Sequence, residues 1–252
     1  MNSLITDVRV FDDDYLPRRL IHRDAEASQL ARAFDPAIDG YGARDVLLSG
    51  PHGVGKTALT RHTLRRLDRR AGVRHTLVHC MGKSTAGIVR ATLRGLGADP
   101  AMNTPLEDLC LQLRDRVDDP TIVVLDEADD LPRTNALDRL WDVTQLSVVA
   151  ICHDRDQWLA QADDSVQRRF AQVGIELPLQ RYHLHELVDI LEERARLGIA
   201  AGAVDCEQLE RIADEAAGAA RFGITALHAA ADLANERRHE TIEDEDVTDA
   251  FA

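Results

Sequence analysis

Lysine is almost missing from this sequence. Lys56 and Lys83 are the only two among 30 basic residues, so arginine supplies nearly all the positive charge. Cysteine is thin as well: Cys80, Cys110, Cys152 and Cys206 lie far apart with no Cys-x-x-Cys pair. That spacing argues against a zinc site or a disulfide framework. His183 and His185 stand two apart without a second ligand pair, so no metal other than Mg²⁺ is expected. No apolar run reaches the roughly 18–20 residues of a membrane span, and the acidic stretch Met1–Asp14 lacks the basic-then-apolar layout of a signal peptide. A cytoplasmic protein with no membrane partner is expected.

What is abundant is acid. In 252 residues, 44 Asp+Glu face 30 Lys+Arg, giving a formal net charge of −14. Aspartate dominates, and excess negative charge keeps proteins soluble in the way halophiles exploit. An Asp-rich, Lys-poor surface therefore suggests a cytoplasm of very high salt, although a GC-rich genome also favours Arg over Lys. Such acidity repels nucleic acid at low ionic strength. At about 1 M salt the Debye length falls to about 3 Å, and the repulsion no longer excludes DNA.

Short β-branched runs alternate with longer amphipathic stretches. Strands are expected at Val46–Ser49, His75–His79, Thr121–Leu125, Ser147–Ile151 and Val173–Leu177. Helices are expected at Asp24–Ala33, Lys56–Arg70, Ala86–Leu96, Leu106–Val117 and Ala136–Val143. Strands separated by helices of this length imply right-handed crossovers and a parallel sheet. After Pro178 the pattern is helical throughout: Leu184–Leu197, Cys206–Ala217, Gly223–Glu236 and Glu243–Phe251. The expected class is α/β, with a five-stranded parallel sheet in residues 1–181 and a small all-helical domain in 182–252.

Two motifs carry chemistry. Gly50-Pro51-His52-Gly53-Val54-Gly55-Lys56-Thr57 fits the phosphate-loop pattern G-x-x-x-x-G-K-[ST], between an expected strand and an expected helix that continues with Ala58. The glycines let backbone N–H groups turn inward on phosphate oxygens at a helix N-terminus. Lys56 supplies a compact charge to the β- and γ-phosphates, and the Thr57 hydroxyl reaches Mg²⁺. A lysine here, in a chain that otherwise uses arginine, is informative because guanidinium is not equivalent in that cradle. The second motif, Thr121-Ile-Val-Val-Leu-Asp126-Glu127, is an apolar strand that delivers two carboxylates at its C-terminal end, where ligands bind in open parallel sheets. Asp126 is the candidate for the Mg²⁺ water shell. Glu127 is the candidate to orient or deprotonate the attacking water. The continuation Ala128-Asp129 spells a DEAD box, but no second helicase domain fits in the remaining length.

The arrangement resembles the AAA+ ATPases and, within them, the archaeal and eukaryotic initiator family of origin-recognition and replication-licensing proteins. Asp14-Tyr15-Leu16-Pro17, running on to His22-Arg23-Asp24, looks like the box that opens this family and lies against adenine. The resemblance implies ATP or ADP as ligand, with Tyr15, Leu16, Pro17 and Arg23 among the contacts. Arg181-Tyr182-x-x-x-Glu186-Leu187 resembles the segment entering the lid. Gly218-Ala-Ala-Arg221, followed by Ala226-Leu227, resembles the sensor 2 helix, which would aim Arg221 at the γ-phosphate of its own nucleotide. Val166-Gln-Arg168-Arg169-Phe170 matches the position of an arginine finger acting on a neighbouring subunit, with Arg169 favoured over Arg168. This implies self-association, or assembly with related initiators.

Two departures from the family stand out. The fourth strand leads into Cys152-His153-Asp154, where the family usually places a sensor 1 Asn; His153 offers a hydrogen bond whose character depends on its tautomer. The chain also ends after the last lid helix, at Phe251-Ala252, where the family continues with a winged helix that reads origin DNA. Two routes to DNA remain: the arginines Arg61, Arg65, Arg66, Arg69, Arg70 and Arg74, and the two-helix stretch Ala86–Val117. The expectation is a slow Mg²⁺-dependent ATPase acting as a nucleotide switch in replication initiation or its control. The alternatives are a nucleotide-gated adaptor that does not hydrolyse, and a helicase loader or transposition regulator.

Overall fold

The structure, a computed structural model, describes residues 3–131 and 133–252. The chain forms two compact units, one α/β and one helical.

The α/β unit takes in Arg23–Gly50 and Lys56–Leu179. Its elements run α1 (Asp24–Ile38), β1 (Val46–Ser49), α2 (Lys56–Ala71), β2 (Arg74–His79), α3 (Thr85–Gly95), α4 (Leu106–Arg116), β3 (Thr121–Asp126), α5 (Asn135–Trp141), β4 (Leu146–Cys152), α6 (Arg155–Gln161), α7 (Asp164–Val173) and β5 (Ile175–Pro178). The five strands make one parallel sheet, as the alternating pattern implies, and the structure orders them β2-β3-β4-β1-β5. Every residue of β1, β3 and β4 is buried. Strands covered on both faces must be apolar without alternation, which is how these three read. The register sets Ser49 beside Cys152 and His79 beside Asp126. The C-terminal ends of β1, β3 and β4 thus share one edge, and the motif residues follow from it.

Around the sheet, α2 buries Leu59, Thr60, Thr63, Leu64 and Leu67, a stripe at helical spacing. Trp141 and Trp158 both meet Phe170 edge to face, with centroids 5.8 and 5.7 Å away. Three expectations need correction. α1 continues past Ala33 to Ile38 because Phe34 and Ala37 extend its buried stripe, and Pro36 is tolerated in its last turn. Residues 155–173, read only for their arginines, form two helices. Val173 closes the second of these, so β5 begins after Gly174 rather than at Val173.

The helical unit takes in the chain up to His22, the loop residues Pro51–Gly55 and Gln180–Ala252. It contains α8 (Leu184–Gly198), α9 (Cys206–Glu215), α10 (Ala220–Arg237) and α11 (Asp244–Asp249). α10 buries Ala220, Ala226, Ala230, Ala231 and Ala234. The N-terminal segment, which the sequence grouped with the α/β part, is held here instead. Leu4, Val10 and Phe11 are buried in the helical core. The Leu4 N–H donates to Asn235 Oδ1 at 2.8 Å, and the Ala200 N–H donates to the Leu4 carbonyl at 2.8 Å.

Candidate nucleotide site

β1 leads into Gly50, whose φ of 145° places a would-be Cβ 2.3 Å from the Leu179 carbonyl oxygen. Only glycine fits there. The Gly50 N–H donates to the His153 carbonyl at 3.1 Å, tying the start of the loop to the end of β4. Gly53 and Gly55 also have positive φ. α2 then begins at Lys56, whose Nζ donates to the Gly50 carbonyl at 2.6 Å. Burial pushes the Lys56 ammonium below its ordinary pKa, and the charges of Asp129, Asp126 and Glu127 pull it back up.

The Thr57 hydroxyl lies 3.0 Å from each carboxylate oxygen of Asp126, the last residue of β3. Asp126 is 5% exposed, so its carboxylate is fixed in place. His79 Nδ1 stands 3.5 Å from the same carboxylate. Glu127 follows in the left-handed region at φ 57°, exposed, before a 3-10 turn at Ala128–Asp130. A non-glycine residue there stores strain of about 1–2 kcal/mol. Such strain collects at functional sites, and here it turns the Glu127 side chain out of the strand end. Asp129 Oδ2 accepts from the His153 N–H at 2.7 Å, pinning the backbone where a sensor 1 residue is expected. Cys80 and Cys152, buried beside these carboxylates, have thiols pushed up to about 12, first by burial. They are inert apolar filler.

In the helical unit, the Gly53 carbonyl accepts from the Arg221 N–H at 3.1 Å, and a Cβ on Gly53 would lie 3.3 Å from the Ala219 Cβ. The N-terminus of α10 therefore sits against Gly53. The Arg221 guanidinium pairs with Asp13, Nε to Oδ1 at 2.8 Å and Nη2 to Oδ2. Tyr15 is half-buried with the Arg194 guanidinium 4.4 Å above its ring, and Leu16 and Pro17 are half-buried next to it. Within the α/β unit, Arg23 is buried and donates to Glu26 Oε1 at 2.9 Å. Of the remaining loop residues, Val54 is buried, Pro51 and Ala58 half-buried and His52 exposed.

The two candidate finger arginines differ. Arg169 Nε donates to Asp45 Oδ2 at 2.7 Å, and its guanidinium lies 4.7 Å over Trp141. Asp45 is 3% exposed and also accepts from Trp141 Nε1 at 3.2 Å and from the Val148 N–H at 2.8 Å. Arg169 is thus bound into the fold at the base of β1, whereas Arg168 is exposed, its Nε on the Asp164 carbonyl at 3.1 Å. Sequence reasoning also passed over Asp13 and His79. Neither belongs to a motif, and Asp13 meets Arg221 across 208 positions of chain.

Fold and site together define a phosphate-loop protein of the AAA+ class, and residues 19–152 match the AAA ATPase domain family. Residues 188–252 match the Cdc6 AAA+ ATPase-type lid domain. The chain is 30% identical over 249 residues to ORC1-type DNA replication protein 9 of Halobacterium salinarum, an overlap of 97% of this chain and 70% of that protein. Among solved structures, the Aeropyrum pernix ORC1 protein in complex with DNA aligns at a TM-score of 0.86 and 30% identity, covering 100% of this chain and 70% of that one. The Aeropyrum pernix ORC2 protein, solved in ADPNP–ADP complexes, aligns at 0.83 and 27% identity, covering 98% and 72%. The chain belongs to the ORC1/Cdc6-type family of AAA+ replication initiators.

Proposed function

We propose that this protein is a nucleotide switch in the initiation of DNA replication or its control, binding Mg·ATP and hydrolysing it slowly. The observation that carries this reading is the contact of the Thr57 hydroxyl with both oxygens of the buried Asp126 carboxylate, at 3.0 Å. An alcohol and a carboxylate meeting at a helix N-terminus are hard oxygen donors that suit Mg²⁺. When bound there, the cation neutralises charge on the β- and γ-phosphates. Lys56 exchanges the Gly50 carbonyl for phosphate oxygen, and the loop N–H groups complete the cradle. Glu127 takes a proton from water as the water oxygen bonds to the γ-phosphorus and the bond to the β-γ bridging oxygen breaks, leaving ADP and phosphate.

Tyr15, Leu16, Pro17 and Arg23 hold the base, and Arg221 exchanges Asp13 for the γ-phosphate. Arg168, exposed where Arg169 is engaged, is the arginine offered to a neighbouring copy's nucleotide. The relatives in Halobacterium salinarum and Haloarcula marismortui support an archaeal, high-salt cytoplasm. No helix among the described residues is long and apolar enough to cross a membrane. The DNA in the Aeropyrum ORC1 complex supports DNA as a partner, and ADPNP and ADP in the ORC2 complexes support the nucleotide.

The test is ATP binding and turnover in about 2 M KCl, where surface carboxylates are screened. Lys56→Ala should lose binding. Glu127→Gln should bind ATP as the wild type does and lose turnover by about two orders of magnitude or more. The second reading, a nucleotide-gated adaptor, is favoured by His153 at the sensor 1 position. It predicts tight binding without wild-type turnover, and a Glu127→Gln variant indistinguishable from the wild type.

A further inference from the structure

The excess of acid conceals a local reversal on α2. With its apolar stripe turned to the core, the helix exposes Arg65, Arg66, Arg69 and Arg70. Arg70 lies 4.0 Å from Asp35 on α1. Arg65, Arg66 and Arg69 make no ion pair or hydrogen bond among the described residues, although Asp68 stands among them. Several exposed arginines elsewhere are neutralised, Arg9 by Asp7 at 2.8 Å, Arg196 by Glu193 at 2.8 Å and Arg211 by Asp244 at 2.7 Å. Arg114, Arg139 and Arg238 also make no ion pair among the described residues; α2 differs in presenting three such guanidiniums within five residues of one helix. In a chain with 44 carboxylates, internal anions are plentiful. A row of three unneutralised guanidiniums is a surface available to an external anion.

Two features decide which anion. Arg65 and Arg69 are one i, i+4 step apart, about 6 Å along the axis, with Arg66 between them. One nucleic-acid strand presents a phosphate about every 3.4 Å of duplex axis, so the row spans two to three phosphates. Guanidinium matches phosphate in a two-bond fork. The face also lacks the apolar or aromatic anchor that protein interfaces centre on. The large exposed hydrophobics, Val8, Tyr41, Met81, Met102, Leu111, Leu184 and Phe222, all lie outside α2. We propose that this face of α2 binds the phosphate backbone of duplex DNA through Arg65, Arg66 and Arg69. The inference rests on the reading of the chain as a replication-initiation protein. It assigns a DNA surface to the helix whose first residues serve the nucleotide.

The experiment is fluorescence anisotropy of a labelled 30-base-pair duplex with the full chain across a KCl series. The wild type is compared with Arg65→Ala/Arg66→Ala/Arg69→Ala, and with a control triple, Arg9→Ala/Arg196→Ala/Arg211→Ala, which removes the same charge from ion-paired sites. Plots of log affinity against log salt should be shallower by about 2–3 for the α2 triple, at about 0.9 per phosphate, and unchanged for the control. A fluorescent ATP analogue, titrated into all three, should bind equally, which shows that the α2 triple is folded. A wild-type slope in the α2 triple overturns the proposal, as does an equal loss in both triples or a wild type that does not bind DNA. A triple that loses self-association and keeps DNA binding also overturns it, and assigns the face to an acidic protein surface. Loss of nucleotide binding or turnover in the wild type, with the slope difference intact, refutes the nucleotide switch and leaves this surface standing.

Discussion

Asp13 shows how a residue with no motif becomes the partner of one that a motif singles out. Lys56, Thr57 and Asp126 are legible in sequence because phosphate chemistry demands those types at those spacings. Asp13 is one of three consecutive aspartates, and only the fold selects it as the partner of Arg221. The Arg221 hydrogen bonds hold its carboxyl below the ordinary aspartate value, and the opposing push from burial is smaller. Under the proposed switch, Asp13 and the γ-phosphate compete for one guanidinium. Both side chains are more than half exposed, so the pair is worth only a surface salt bridge, about 0.2–1 kcal/mol. Asp13→Asn should therefore tighten ATP binding about two- to fivefold and leave ADP unchanged. Titration with fluorescent ATP and ADP analogues reads this directly. Equal gains for the two nucleotides would show that Asp13 acts on something other than the γ-phosphate.

At the scale of elements, strands and long helices followed from periodicity, with ends displaced by a few residues. The exceptions have physical causes. α6 buries only Trp158 of its seven residues, too little to write a stripe into the sequence. α11 is six residues long, far below the length at which a helix holds itself together. Its stability comes from Asp246, fully buried at the third helical position. That carboxylate accepts from Arg237 Nη1 at 2.7 Å and from the Glu243 N–H at 2.9 Å, and lies 2.8 Å from His239 Nδ1. Burial pushes its pKa up. The hydrogen bonds from Glu243, His239 and Arg237 outweigh that push and leave it below the ordinary value. A carboxyl with a depressed folded-state pKa stabilises fully above its unfolded value of 3.8, and the contribution is lost as pH falls through the lower folded value. Asp246→Ala should cost about 2–4 kcal/mol near neutral pH. The deficit relative to wild type should shrink only below about pH 4. Urea titrations at pH 7 and pH 3.5 measure both; a deficit as large at pH 3.5 as at pH 7 would show that the Asp246 charge is not what holds the helix.

For the whole molecule, the fold class was readable because a parallel sheet with crossover helices leaves a repeated mark. The place of the N-terminal segment was not. Leu4, Val10 and Phe11 are too few and too irregularly spaced to announce which core they enter. Adjacent residues can likewise divide between the fold and the assembly, and Arg168 and Arg169 test that division. Arg169 closes a buried cluster around Asp45, so Arg169→Ala leaves a buried carboxylate short of a cation. With the arginine partly exposed, the loss should be about 1–3 kcal/mol. Arg168→Ala removes no internal ion pair and should change stability by no more than about 0.5 kcal/mol. Its proposed effect lies between copies: turnover per chain should stop rising with protein concentration and fall at least about tenfold at the highest concentration. Melting curves and a turnover series in the same high-salt buffer separate the two roles. Should Arg169→Ala, assayed where it is fully folded, lose the concentration-dependent turnover while Arg168→Ala keeps it, the trans role belongs to Arg169. The pairing with Asp45 would then have to open when copies assemble, at the cost of leaving that carboxylate unneutralised beneath β1.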